Sequence, residues 1–206
     1  MTLYLAGAGL GAICGAIAYL LSLGVLQRRK LLPRLIKLNR FPTKRLLLSV
    51  FIEAAIGCYG VWAYSGLGYD YLSFLALTTC LHSTTLTDIR HRALHLDVMC
   101  FFAVLGIGMC LLDGGLPSLL SGFLGAVVGA LLLGVPYLLR RDSVGVGDIL
   151  LLANAGLYCG STGVLLLLLR ALMLLAVVSL VQLMRKKATR KSQMPLAPYL
   201  LISSLL

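Results

Sequence analysis

The sequence predicts an all-α integral membrane protein, a polytopic bundle of about eight transmembrane helices with its N-terminus outside. Hydrophobic residues make up 60% of the 206 residues and the mean hydropathy is +0.98, whereas only 12% of the residues are charged. A soluble domain keeps roughly a quarter of its residues charged. The apolar residues also form runs close to the about 20 residues that a helix needs to cross the hydrocarbon core.

Eight apolar runs follow one another along the chain. The first five lie at 2–26, 46–65, 71–87, 96–112 and 119–139. The next apolar stretch, 149–184, would be about 54 Å long as one helix, so we expect a break at its glycines that leaves spans at 149–160 and 163–184. The last run, 194–206, is short and contains Pro195 and Pro198, which indicates either a tilted short span or a re-entrant segment.

Basic residues gather on one face of this predicted bundle. If consecutive spans alternate in direction, 17 of the 18 Lys and Arg residues fall in the first, third, fifth and seventh loops, and the opposite loops (66–70, 113–118 and 160–163) contain none. By the positive-inside rule the basic face is cytoplasmic and the N-terminus is outside. The net charge of +11 therefore indicates contact with anionic lipid headgroups and not with nucleic acid.

No compositional shift divides the chain, so residues 1–206 are expected to form a single transmembrane domain with a basic cytoplasmic loop at 28–45. The first span has no basic residue before it, which favours a retained anchor over a cleaved signal peptide. Within it, Gly7, Gly11 and Gly15 recur at four-residue spacing, a pattern typical of closely packed helices.

Metal binding is not predicted. The six cysteines are scattered without a CxxC pair, and nearly all lie inside predicted spans, where a free thiol behaves as a small hydrophobe. His82, His91 and His95 flank Asp88, but no fourth ligand accompanies them.

Acidic residues within or at the ends of spans usually mark functional sites, because ionisable groups are costly there. Four of the seven acids are so placed, namely Glu53, Asp88, Asp97 and Asp148. Asp88 ends the third span and Asp148 begins the sixth, and both reach the same border of the bundle because spans four and five go out and return. Two carboxylates brought together cannot both ionise cheaply, so one can activate a water molecule while the other protonates a leaving amine. The pair titrates as a unit, which leaves base and acid unassigned.

The segment before Asp148 reads Gly145-Val146-Gly147-Asp148. Glycines allow backbone angles that other residues avoid and the close approach of another chain. An acid in the first turn of a helix also lies near the positive end of the helix dipole. The alternative interpretation is a plain turn followed by an N-terminal capping Asp.

At these residues the sequence resembles the type IV prepilin peptidase family, which are membrane aspartic peptidases of the GxGD type. Residues 145–148 match the GxGD motif, and residues 88–92 are similar to the family's first catalytic Asp with its short cytoplasmic loop. Glu53 is similar to an acid that the family carries after its first cytoplasmic loop, and residues 195–200 resemble a P-x-G-P-x-L stretch. The resemblance implies that Asp88 and Asp148 are the catalytic residues. Gly145 and Gly147 are expected to let the substrate approach, and the candidates for supporting roles are Glu53, His91, Pro195 and Pro198.

What the resemblance implies about function is equally specific. Family members remove the short basic leader of type IV pilins, pseudopilins or competence pilins at the cytoplasmic face of the prokaryotic cytoplasmic membrane. The substrate is a protein whose hydrophobic N-terminal helix lies against the bundle. Proteolysis needs no cofactor, whereas the N-methylation that many members also perform uses S-adenosylmethionine.

The sequence departs from the family pattern at several positions. Leu150 stands where the family usually has Lys, Leu94-His95-Leu96 replaces a common Ile-Pro-Asn, and Ala197 replaces a Gly. The loop at 28–45 stands in place of the zinc-binding segment with two CxxC pairs, which argues against methylation.

Two rival functions fit part of the sequence. A catalytically silent assembly factor for a pilus or secretion machine is consistent with the departures near the acids. A small ion- or proton-coupled transporter is consistent with Glu53 and with Arg170, the one basic residue outside the inner loops. Transporters place their binding residues near the midplane, whereas Asp88 and Asp148 lie at one border.

Overall fold

The computed structural model describes residues 1–28, 43–91, 96–140, 144–185 and 195–206. The described residues form helices and no strand. In chain order these helices are α1 (Thr2–Arg28), α2 (Thr43–Ala63), α3 (Tyr69–His91), α4 (Leu96–Leu139), α5 (Val146–Met184) and α6 (Ala197–Ser203). The all-α prediction is therefore confirmed for the part of the chain that the structure describes.

Four of these helices, α1, α2, α4 and α5, are long and apolar enough to cross a membrane. α3 is not among them, because hydroxyl groups crowd its second half. The predicted run at 194–206 contains only the seven-residue helix α6, about 10 Å long, which is too short to cross a bilayer. The prediction of about eight separate transmembrane helices is thus not supported: α4 covers predicted spans four and five, α5 covers six and seven, and the eighth does not span.

The first half of α4 runs parallel to the first half of α5. The Asn154 amide donates a hydrogen bond to the carbonyl of Met99 at 3.1 Å, and one turn later the Tyr158 hydroxyl donates to the carbonyl of Phe102. The residue numbers of the contacting partners therefore increase together on the two helices, as they do in parallel helices.

The second half of α4 runs in the opposite direction past the same part of α5. A Cβ on Gly122 would meet the carbonyl oxygen of Leu157, and one on Gly129 would meet that of Leu152. The residue numbers of the partners on α5 therefore decrease as those on α4 increase, as they do in antiparallel helices. The reversal occurs at Gly115, whose φ of 63° and ψ of −137° are non-helical; a positive φ is readily adopted only by glycine. The predicted break between spans four and five lies at this residue.

A second non-helical glycine divides α5. Gly160 has φ 69° and ψ −176°, and it lies in the predicted break between 160 and 163. A straight helix of 39 residues would be about 58 Å long, nearly twice the hydrocarbon thickness. The break gives two segments of crossing length or less.

The glycine pattern of α1 acts in packing, as predicted. A Cβ at Gly11 would collide with the backbone carbonyl of Glu53, and one at Gly15 would lie 2.7 Å from that of Ser49. These contacts bring the backbones of α1 and α2 together, because no side chain separates them.

α3 lies at the centre of the bundle. It packs against every other helix, and almost all its side chains from Phe74 to Asp88 are buried. Large apolar side chains cover much of the outer surface of the other helices. This inside-out arrangement of polarity is what a lipid environment favours, since exposed apolar groups carry no penalty there.

Candidate active site

Asp88 lies near the C-terminal end of α3 and is buried, with 8% of its surface exposed. It follows a polar stretch in which hydroxyl groups bond to carbonyls one turn earlier on the same helix. Thr84 and Thr85, for example, donate to the carbonyls of Cys80 and Leu81 at 2.9 and 2.6 Å. These hydroxyl groups find their hydrogen-bond acceptors within α3 itself, which allows a polar helix to occupy the interior.

Asp148 lies in the first turn of α5 and is half-buried. Its backbone N–H donates to the carbonyl of Gly145 at 3.0 Å, which begins the helix there. The N-cap residue Gly145 has no side chain to cap this helix end, and the Asp148 carboxylate accepts a hydrogen bond from the Gly145 backbone, so Asp148 also serves the helix end as the alternative interpretation expected. Its carboxylate also lies in the positive field of the helix N-terminus.

The two carboxylates are close enough for Asp88 to act electrostatically on Asp148. The Asn154 amide lies 3.9 Å from the thiol of Cys80. Cys80 precedes Asp88 by about two turns of α3, whereas Asn154 follows Asp148 on α5, so α3 and the first half of α5 run antiparallel. The end of α3 therefore meets the start of α5, as the sequence predicted. Two carboxylates in such a site favour a state with one shared proton, which is suited to general acid–base chemistry.

The glycines before Asp148 act differently from the prediction. Gly145 has φ −76° and ψ 139°, an extended conformation open to any residue, and Gly147 lies within α5. Neither is among the glycines with positive φ. A Cβ on Gly145 would instead lie 3.4 Å from Oδ2 of Asp148. The absence of a side chain at Gly145 thus leaves space beside the carboxylate, and its backbone freedom is not used.

Glu53 is fully buried in α2 and lies apart from the acid pair. Its Oε1 is 2.9 Å from Nδ1 of His82, and Nε2 of His82 is 3.3 Å from the Ser49 hydroxyl. Ser49 in turn donates to the carbonyl of Gly15 at 3.0 Å. His82 precedes Asp88 by six residues, about 9 Å along the axis of α3. This network joins α1, α2 and α3 about two turns before Asp88 along α3.

Two further predicted site residues, Pro195 and Pro198, lie at the start of α6. Pro195 precedes α6 and Pro198 lies in its first turn. α6 packs on α3 and α5, and the Ser203 hydroxyl donates to the carbonyl of Leu167 at 3.0 Å. The side chain of His91 and residues 29–42 of the basic loop lie outside the described part of the chain.

Sequence reasoning missed two features. It did not pair Glu53 with His82 and Ser49, since the spacing of residues on three different helices carries no signal of that contact. It also left Arg170 without an assignment, and the structure places this residue at a polar cavity far from the acid pair. No group of three or more His, Cys, Asp or Glu side chains within the described ranges is arranged to hold a metal ion.

Comparison with known proteins gives two matches. The model of the type IV leader peptidase family matches residues 74–180, just over half of the chain, and this range includes both Asp88 and Asp148. The chain is also 28% identical over 169 residues to a prepilin leader peptidase/N-methyltransferase of Xanthomonas campestris pv. campestris. That alignment covers 80% of this chain but only 56% of the relative. No solved structure matches.

Proposed function

Because the chain belongs to the type IV leader peptidase family, we propose that it is a membrane aspartic endopeptidase that removes the short basic N-terminal leader of type IV prepilin-like proteins. The observation that carries this proposal is that the antiparallel packing of α3 and the first half of α5 brings Asp88 close enough to Asp148 to act on it electrostatically. Both lie within the residues that the family model matches, and they are supplied by two helix ends that the fold brings together.

The pair hydrolyses the peptide bond without a covalent intermediate. One carboxylate accepts a proton from a water molecule as that water attacks the scissile carbonyl, and the other donates a proton to the leaving amine. Burial of Asp148 and the neighbouring Asp88 favour a pair that holds one proton between its two carboxyl groups, and the space at Gly145 admits the substrate backbone beside Asp148.

The chain is a multi-pass membrane protein, and we infer that the acid pair faces the cytoplasm. Asp88 and Asp148 lie next to the basic residues at 90–92 and 140–141, and the positive-inside rule assigns such residues to the cytoplasmic side. The N-terminus then lies outside. A prepilin whose hydrophobic helix rests against the bundle would present its leader at this border.

We propose the peptidase step alone. The chain spans about half the length of the relative it matches, whose name includes a methyltransferase. Methylation would use S-adenosylmethionine, and the short basic loop at 28–45 replaces the cysteine-rich segment of bifunctional members. Proteolysis by the acid pair needs no cofactor.

The test is cleavage of a co-expressed prepilin, read as a shift on a gel. Wild type is expected to remove the leader, and Asp88→Asn and Asp148→Asn are each expected to leave no removal visible on the gel while the protein still inserts in the membrane. Asp97→Asn, at the exposed start of α4, is the matched control and is expected to cleave. If wild type leaves a cognate prepilin intact, a silent assembly factor replaces the peptidase as the leading function.

A proton-coupled transporter has weaker support. It depended on Glu53 as an intramembrane ionisable group, and Glu53 is already hydrogen-bonded to His82 in the interior. This hydrogen bond between α2 and α3 explains why a carboxyl group is buried at this position without assigning it to an ion pathway.

A further inference from the structure

A polar cavity of about 460 Å³ lies at the end of the bundle opposite to the acid pair. Asp70, in the first turn of α3, lines it, whereas Asp88 lies in the last turn of the same helix. The two acids are 18 residues apart, about 27 Å along a helix axis. The cavity therefore cannot belong to the proposed proteolytic site.

The cavity forms where α4 and α5 break. Gly160 lines it, and residues on both sides of the Gly115 reversal, such as Asp113 and Ser118, contribute to its wall. Serine hydroxyls and the Tyr64 and Tyr158 rings complete the polar lining. A wall of this composition in an otherwise apolar protein indicates a site for a polar group.

Both charge signs line the cavity without neutralising each other. Arg170 forms no ion pair with any residue that the structure describes, and the Asp113 carboxylate accepts a hydrogen bond only from Ser118, at 3.5 Å, within that same part of the chain. Arg170 is exposed on a helix that is apolar enough to cross a membrane, and ionisable residues inside such segments usually mark a functional site because they are costly in lipid. A guanidinium and two carboxylates fit a ligand that carries both a phosphate and an ammonium.

The cavity also opens onto an apolar surface. Leu166 lines it and is 53% exposed, and Leu169 and Met173, one and two turns further along α5, are 56% and 65% exposed. Spacing of three and four residues places these side chains on one helix face. Leu166 and Leu169 lie beside the part of the cavity that Arg170 lines, and the stripe continues beyond it to Met173, as an acyl chain continues from its headgroup.

We propose that this cavity binds an aminophospholipid. Arg170 holds the phosphate through bidentate hydrogen bonds, Asp70 and Asp113 accept hydrogen bonds from the primary ammonium, and an acyl chain lies along Leu166, Leu169 and Met173. With the acid pair at the cytoplasmic border, the lipid belongs to the outer leaflet. The proposal does not depend on peptidase activity.

The test is a titration of the purified full-length chain in detergent with short-chain phosphatidylethanolamine, phosphatidylglycerol and phosphatidylcholine, followed by native mass spectrometry. Phosphatidylethanolamine is expected to bind about 10- to 100-fold more tightly than the other two, because charge-assisted hydrogen bonds of its primary ammonium are lost with either alternative headgroup. Equal binding of the three lipids would overturn the proposal.

Variants separate the two halves of the headgroup. Arg170→Gln is expected to weaken all three lipids, Arg170→Lys to retain part of the binding, and Asp70→Asn with Asp113→Asn to remove the preference for phosphatidylethanolamine alone. Arg185→Gln, at the exposed far end of α5, is the matched control and should bind as wild type does. If Arg170→Gln binds as wild type does, Arg170 does not hold the phosphate and the proposal fails.

Soluble phosphoethanolamine identifies the source of the headgroup. It carries the same phosphate and ammonium without an acyl chain, so it is expected to compete only weakly with the lipid. Competition as strong as that of the lipid would show that the apolar stripe on α5 contributes nothing, and would overturn the assignment of a lipid.

Discussion

The His82 imidazole and the Glu53 carboxyl group are hydrogen-bonded across the interface of α3 and α2, with Nδ1 and Oε1 2.9 Å apart. The Ser49 hydroxyl donates to the carbonyl of Gly15, and Nε2 of His82 lies 3.3 Å from the same hydroxyl. Both ring nitrogens of the buried histidine therefore have a partner, and the network joins α1 and α2 to the helix that carries Asp88.

Removal of the imidazole is expected to destabilise the fold. In His82→Ala the Glu53 carboxylate stays buried without its partner, and its second oxygen already has no hydrogen bond among the described residues. Breaking a buried pair in this way costs about 3–5 kcal/mol. The measurement is thermal unfolding of the purified protein in detergent, followed by circular dichroism.

The control replaces both partners at once. Glu53→Leu combined with His82→Leu leaves no uncompensated polar group, so this double variant is expected to unfold at a higher temperature than His82→Ala. The prediction is wrong if His82→Ala unfolds at the wild-type temperature.

Gly125 and Gly156 are expected to tolerate no side chain. A Cβ on either residue would collide with the carbonyl oxygen of the other, across the contact of α4 with α5. Gly125→Ala should therefore lower stability by about 1–3 kcal/mol or more through overpacking. Gly134→Ala, on the same helix but facing open space, is the control and should be neutral or stabilising, because alanine favours helix. Equal melting temperatures for the two variants would contradict this packing.

The acid pair is expected to act as one unit. Asp88→Asn and Asp148→Asn should each lower kcat/KM for leader removal by about 100-fold or more. The variant with both substitutions should be no slower than the slower single variant, because groups that act together are not additive. Initial rates on a purified prepilin measure this effect. Losses that multiply in the double variant would show that the two carboxylates contribute independently.

The pairing of Asp88 with Asp148 could be predicted because it depends only on topology. Once the apolar segment between them reverses at Gly115, the end of α3 and the start of α5 must lie at the same border. Apolar run lengths likewise located α1 and α2 to within three residues. Helix α6 could not be predicted from its apolar run, since hydropathy alone does not tell a crossing segment from a short helix packed on α3.

Contacts that depend on helix rotation could not be read from the sequence. Glu53 was identified as functionally suggestive because it is an acid in a span, but its partner His82 lies on another helix and the sequence does not fix how the two helices turn toward each other. The same applies to the glycines. Composition indicates where backbone freedom is available, and only the fold shows that Gly160 uses it while Gly145 does not.

Gly145 provides the test of how the substrate reaches Asp148. Its extended conformation accepts alanine without strain, and the added Cβ would lie in ordinary contact, 3.4 Å from Oδ2. Gly145→Ala is therefore expected to unfold at the wild-type temperature but to remove the leader up to about 100-fold more slowly, because the methyl group occupies the space beside the carboxylate and displaces the scissile bond. Val146→Ala, at the next and exposed position, is the matched control and should retain activity. Full activity of Gly145→Ala would mean that the substrate approaches Asp148 from another side, whereas a lowered melting temperature would mean that the glycine serves the fold.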